Sequence, residues 1–211
     1  MKKPIGYFLG EGALIVFSIL LALGLNGWRE WAGEKAEERQ AIASIYAEIS
    51  DNLELLSDLP EYHHSLAEEL QAAIAAFEAD GPDENRTPME IFISTESLHR
   101  DSMVISRGPQ GVAWELAKQR GVASRFDYEL AKRLSLVYSA QDAGLVPLYD
   151  KAFELLASPA MFSSKDQAAA LWPMVILFSE MAARERTVVA QLENIQAQIA
   201  DSEPVLKKQA K

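Results

Sequence analysis

The chain has no cysteine among its 211 residues. That excludes disulfides, thiolate metal sites and cysteine nucleophiles. Histidine is nearly as scarce, with His63, His64 and His99 making up the full set of three. Basic residues are also in deficit: 20 Lys+Arg face 31 Asp+Glu, for a net charge of −11. Lys2, Lys3 and Glu11 fall within the first 26 residues, so the remainder carries 18 basic and 30 acidic side chains, a net of −12. An acidic surface without a basic stripe repels phosphates. It argues against nucleic acid as a partner and against direct docking of the body of the protein on anionic lipid. No stretch alternates apolar and polar residues for the length of a strand, and no repeat period stands out. Glycine-rich phosphate loops, a P-loop and the H-E-x-x-H metal motif are absent from the sequence too.

What the chain does have is one long apolar run. From Ile5 to Leu25 the sole charge is Glu11. That is about 21 residues, close to the roughly 20 a helix needs to cross a ~30 Å hydrocarbon core. Everything beyond is polar, acidic and helix-forming, and about 180 residues suffice for one domain with its own core. The expected organisation is a transmembrane anchor over residues 1–27 and a helical-bundle domain over 28–203. The domain begins with a polar neck (28–41), and a flexible tail (204–211) follows it.

A secretory signal peptide shares some of these features: Lys2, Lys3, an apolar run and the small residues Ala22 and Gly24. The run is long for a signal, Glu11 interrupts it, and no A-x-A site follows, the nearest pattern being Ala22-Leu23-Gly24. An uncleaved anchor is the expectation. By the positive-inside rule Lys2 and Lys3 put the amino terminus in the cytoplasm and the domain outside. Trp28 and Trp31, a helical turn apart, are placed to anchor the outer interface.

Within the run, Glu11, Ser18, Ala22 and Asn26 fall on one helical stripe, at spacings of seven, four and four. Gly6 and Gly10 form a G-x-x-x-G that Ala13 continues. A carboxylate in hydrocarbon is costly and normally faces a partner or a cavity. Glu11 lies near enough to the headgroups to snorkel; contact with other membrane helices is the preferred reading, because two small-residue faces have little use against lipid.

The rest of the chain reads as helices. No strong breaker interrupts Gly27 to Ser57, so the apolar helix is expected to continue into a stripe of Ile42, Tyr46, Ile49, Leu53 and Leu56, broken at Pro60. A second helix follows over about 60–79. Thr87-Pro88-Met89-Glu90 is a capping-box start for a short helix. Residues 94–110 are ambiguous, with Met103-Val104-Ile105 a candidate buried segment. Val112–Arg120 is expected to be a helix closed by Gly121. Asp127 caps the next, which turns inward Leu130, Leu134, Val137 and Tyr138 and continues, bent at 144–147, through Leu148, Phe153 and Leu156. Ser164 is expected to cap a last helix over about 165–200, kinked near Pro173, with Leu171, Val175, Phe178, Met181, Val188, Leu192, Ile195 and Ile199 inside. The predicted fold class is all-α: a transmembrane helix continuing into an antiparallel helical bundle in which the first and last helices pair.

Two blocks resemble a family of uncharacterised bacterial single-span membrane-anchored helical proteins. One is Gly10-Glu11 inside the span with the exit Asn26-Gly27-Trp28-Arg29-Glu30; the other is Ala113-Trp114-Glu115-Leu116-Ala117 leading to Gly121, then Phe126-Asp127-Tyr128-Glu129-Leu130. The resemblance implies a helical protein in the bacterial inner membrane with a periplasmic domain, and it implies no activity.

Candidate chemistry is thin. His63 and His64 are adjacent and diverge on a helix, and His64 with Glu68 reads as an exposed ion pair rather than two metal ligands. His99 has Asp101 nearby without the hydroxyl of a triad. Glu68, Glu69, Glu84 and Glu90 read as solvated, Asn85-Arg86-Thr87 as a chance sequon, and Trp114, Trp172, Phe178 and Tyr149 as core. No catalytic residue, metal ligand or cofactor is assigned. The expected function is a non-catalytic accessory subunit of a larger membrane complex. Its partners would be other membrane proteins, met through the span, and the lipid bilayer. The alternative is a membrane-anchored ligand-binding or sensory bundle, which would need a separate output partner because four residues precede the span. A homo-oligomer is compatible with both.

Overall fold

A computed structural model describes residues 5–81, 83, 85–100, 108–163 and 165–202, with the side chains of 5–13 and of Arg100 outside the described set. Among the described residues the secondary structure is helical throughout, with no strand. Helix α1 runs unbroken over Ile5–Leu56, 52 residues or about 78 Å. Its apolar half and its packed half are therefore one rod. Ser57 and Asp58 interrupt it, and α2 (Leu59–Asp80) starts with Pro60 in its first turn, where the missing N–H costs nothing. Gly81, at φ 86°, closes α2. The short helices α3 (Pro88–Ile93) and α4 (Glu96–Arg100) follow. Next come α5 (Val112–Gln119), a 3₁₀ turn over 122–125, and α6 (Tyr128–Ala140). A π-helical turn (Gln141–Leu145) joins α6 to α7 (Val146–Leu156); α8 (Pro159–Ser163) and the 36-residue α9 (Gln167–Ser202) complete the chain.

The local signals act as their chemistry requires. Glu90 N–H donates to Thr87 Oγ1 at 3.2 Å and Thr87 N–H to the Glu90 carboxylate at 2.7 Å, a closed capping box. Asp127 accepts from the N–H groups of Glu129 and Leu130. Gly121 takes a left-handed φ of 72°, ending α5. Ser164 lies outside the described residues; Asp166 accepts from Ala169 N–H at 2.9 Å and caps the first turn of α9. Met103-Val104-Ile105 also lie outside them, as do Asp101 and Glu84.

Three readings are corrected. Phe153 is exposed (58%), because the π-helical turn inserts an extra residue and shifts the inward face of α7 onto Tyr149 and Ala152. Trp172 is 45% exposed, since Leu171, Met174, Val175 and Phe178 occupy the inner side of α9. Glu69 is not solvated: its carboxylate takes the backbone N–H and hydroxyl of Ser97 and ties α4 to α2.

Helix α9 is the spine. It packs chiefly on α2 and, toward its carboxyl end, on α1, as well as on α6 and α7. The pairings descend in order: Ser50 with Gln196, Glu61 with Arg186, His63 with Glu185, Asp83 with Gln167. So α1 and α2 both run antiparallel to α9, one after the other. The chain around α5 returns along α1: Asn52 binds Gln110, Glu48 accepts from Ala113 N–H, and Arg125 reaches Glu37. Ile45, Ile49, Leu66, Leu70, Leu134, Phe178, Met181 and Leu192 are buried in one continuous core. The arrangement is consistent with a helical bundle.

Candidate functional site

The apolar half of α1 is the first candidate site. Every large apolar side chain from Leu14 to Leu25 is between 52% and 69% exposed, and no part of the packed domain covers it. One helix is thus long and apolar enough to cross a membrane. Ser18, Ala22 and Asn26 are exposed, and their fourfold spacing puts them on one face. The Ser18 hydroxyl is occupied locally, donating to Leu14 O at 2.8 Å. Gly6, Gly10 and Glu11 lie in helical backbone whose side chains fall outside the described residues. Trp28 and Trp31 are 64% and 57% exposed at the end of the apolar half. Beyond them the neck is braced: the Arg125 guanidinium lies 3.2 Å from Glu37 and 3.9 Å from Glu34. That contact fixes the α5–α6 corner to α1 close to the apolar segment.

The second candidate is a buried polar cluster formed by α2, α7 and α9. His63 on α2 and Glu185 on α9 are both fully buried, with His63 Nδ1 2.9 Å from the carboxylate. Tyr149 on α7 donates its hydroxyl to the other carboxylate oxygen at 2.8 Å. The imidazole stacks on Phe178, centroids 5.6 Å apart and planes 12° apart, and Phe178 stacks on Phe92. Burial, and then the charge of Glu185, push the Tyr149 hydroxyl above its ordinary range. A signal for Glu185 was present. Met181 and Val188 are seven residues apart in an inner stripe otherwise spaced by three and four, and position 185 fills that gap. His64, by contrast, pairs as expected: it is partly exposed and 3.4 Å from Glu68.

A similar arrangement sits lower down. Tyr138 donates to Glu48 at 2.7 Å, and burial followed by that hydrogen bond raises its pKa as well. Glu48 accepts from the Ala113 N–H and the Tyr138 hydroxyl, and Glu185 from the Tyr149 hydroxyl beside His63, so each carboxylate ties neighbouring segments together. His99 Nδ1 lies 2.9 Å from Thr95 O, spent on its own helix. Among the described residues no group of three His, Asp or Glu is disposed to hold a metal ion. The cleft between α1 and α5, lined by Glu37, Ala41, Ala113 and Arg120, encloses about 80 Å³, room for a few waters. No protein-family model, curated protein or solved structure matches the chain.

Proposed function

We propose that the chain is a non-catalytic accessory subunit of a larger membrane complex of respiratory, photosynthetic or transport type. Residues 1–27 anchor it in the bacterial inner membrane, with the amino terminus cytoplasmic and the helical-bundle domain periplasmic. The observation that carries this reading is the uncovered apolar half of α1, continuous with a packed acidic domain. Nine large apolar side chains between Leu14 and Leu25 are more than half exposed. At 1.5–3 kcal/mol for a fully exposed side chain, scaled by these exposures, removing them from water is worth roughly 8–16 kcal/mol. Lipid or neighbouring helices supply that environment, with Trp28 and Trp31 at the outer interface. The span then meets partner helices through Glu11 and the Gly6/Gly10 face, or through Ser18, Ala22 and Asn26, because polar and small residues gain more from a helix than from lipid.

The test is extraction in mild detergent, size separation, and mass spectrometry of what co-migrates. A large stoichiometric complex supports the reading and names the process served. A lone monomer or homodimer refutes it in favour of the sensory bundle. Glu11→Leu is then expected to weaken co-purification while leaving membrane insertion intact, and unchanged association would remove Glu11 from the contact.

A further inference from the structure

Helices α1 and α2, which meet at Ser57 and Asp58, keep a common register along α9. Ser57 and Asp58 are exposed, and Asp58 makes no side-chain cap. Yet the two helices follow α9 as though they were continuous. Ser50 to Glu61 is eleven residues and the matching stretch from Gln196 to Arg186 is ten. His63 to Asp83 is twenty, and Glu185 to Gln167 is eighteen. The register is almost one-to-one across the break and beyond it. Because α1 and α2 share far less contact with each other than with α9, α9 must impose the line.

Just past the break Leu59, Pro60 and Tyr62 are buried, and the buried polar contact of His63 with Glu185 follows, five residues beyond Asp58. A lone buried carboxylate is costly, so the groups around it matter. The Tyr62 ring from α2 meets the imidazole edge-on, centroids 5.2 Å apart, and Tyr149 from α7 donates its hydroxyl to the carboxylate. The nearest basic residues on α9 are occupied in solvent: Arg184 by Glu180 and the Gly144 carbonyl, Arg186 by Glu61. The carboxylate is therefore held from within, by His63 Nδ1 on one oxygen and the Tyr149 hydroxyl on the other. That makes it a strong grip when closed and a poor one when any member is lost.

We propose that the His63–Glu185–Tyr149 cluster is a latch for the 57–58 elbow. Closed, it keeps α2 in line with α1 along α9; opened, it lets the distal half of the domain swing against the half that carries the apolar segment. This holds whether or not α1 spans a membrane.

The absence of native cysteine permits clean labelling of the full chain in detergent micelles. Nitroxides at Ala47→Cys and Ala76→Cys, both exposed sites, straddle the elbow. A straight path over those 29 residues gives a separation of about 44 Å. Ala183→Cys with Ala197→Cys, within α9, is the internal control. In otherwise unmodified protein, pulsed EPR is expected to give a narrow distribution for both pairs. Glu185→Leu is expected to about double the width across the elbow and leave the α9 pair unchanged. Glu185→Gln, which keeps an acceptor, should stay near the unmodified width. If Glu185→Leu does not fold, Tyr149→Phe decides, with a smaller broadening confined to the elbow. An elbow as narrow as before, or equal broadening of both pairs, overturns the proposal.

Discussion

Asn52 provides the sharpest test of how α1 is fastened to the chain around α5. It is 2% exposed and uses both ends of its amide on one residue. Nδ2 donates to the Gln110 carbonyl at 2.7 Å, and Oδ1 accepts the Gln110 N–H at 2.8 Å. Asn52→Ala removes both bonds together. The carbonyl keeps a long contact from Gln141 Nε2 at 3.5 Å; the N–H loses the partner it has on α1. A lost hydrogen bond costs about 0.5–1.5 kcal/mol where water can replace it and about 1–3 where it cannot, so the sum should be about 2–4 kcal/mol. For a domain of this size each kcal/mol moves Tm by roughly 2–4 °C, giving a fall of roughly 4–16 °C. The assay is a far-UV circular dichroism melt of the full chain in detergent. Asn194→Ala is the control: Asn194 is exposed, bonds within its own helix, and should change stability by less than about 0.5 kcal/mol. A loss for Asn52→Ala no larger than the control's would refute the reasoning.

Three further outcomes follow from the same geometry. Tyr138 and Tyr149 hold their protons more tightly in the folded protein than at the ordinary tyrosine value. Above about pH 10 the unfolded chain releases protons that the folded chain keeps, so stability should fall as pH rises. The slope is about 1.4 kcal/mol per pH unit for each tyrosine, with no such loss below that pH. Urea midpoints from about pH 9 to about pH 11 measure it, and Tyr138→Phe should halve the slope. Thr87→Ala should cost about 1 kcal/mol. It should also raise the Glu90 carboxyl part of the way to its ordinary value, since the Thr87 N–H and hydroxyl hold it down; NMR titration of Glu90 reads this directly. Gly121→Ala meets no atom within 4 Å, so its cost is backbone strain alone, about 1–2 kcal/mol; a loss near zero in denaturant would rule that strain out.

Features written in local chemistry were legible in the sequence. The capping box at Thr87, the Asp127 cap, the Gly121 stop and the continuity of α1 from the apolar run into the Ile42–Leu56 stripe all stand as read. What was not legible depends on phase or on distant partners. Phe153 was misplaced because a π-helical turn leaves no mark in the hydrophobic period. Glu69 looks solvated in sequence because its partner lies 28 residues away, and no local pattern marks Asn52, whose partner lies 58 residues away. The buried cluster is the instructive case. Glu185 falls in the gap of an apolar stripe, and the adjacent His64 gives no hint that His63 meets a carboxylate 122 residues on.

The unbroken run of α1 also sets an angle. Each helical residue advances the chain by 1.5 Å and turns it by about 100°. The exposed apolar half and the buried face at Ile42, Ile45 and Ile49 share one rod, so the number of residues between them fixes which flank of the domain looks toward whatever surrounds the apolar half. Seven residues added to the neck would lift the domain by about 10 Å and return it to nearly the same azimuth; two would lift it by about 3 Å and turn its opposite flank forward. The neck is thus tuned in phase more tightly than in length.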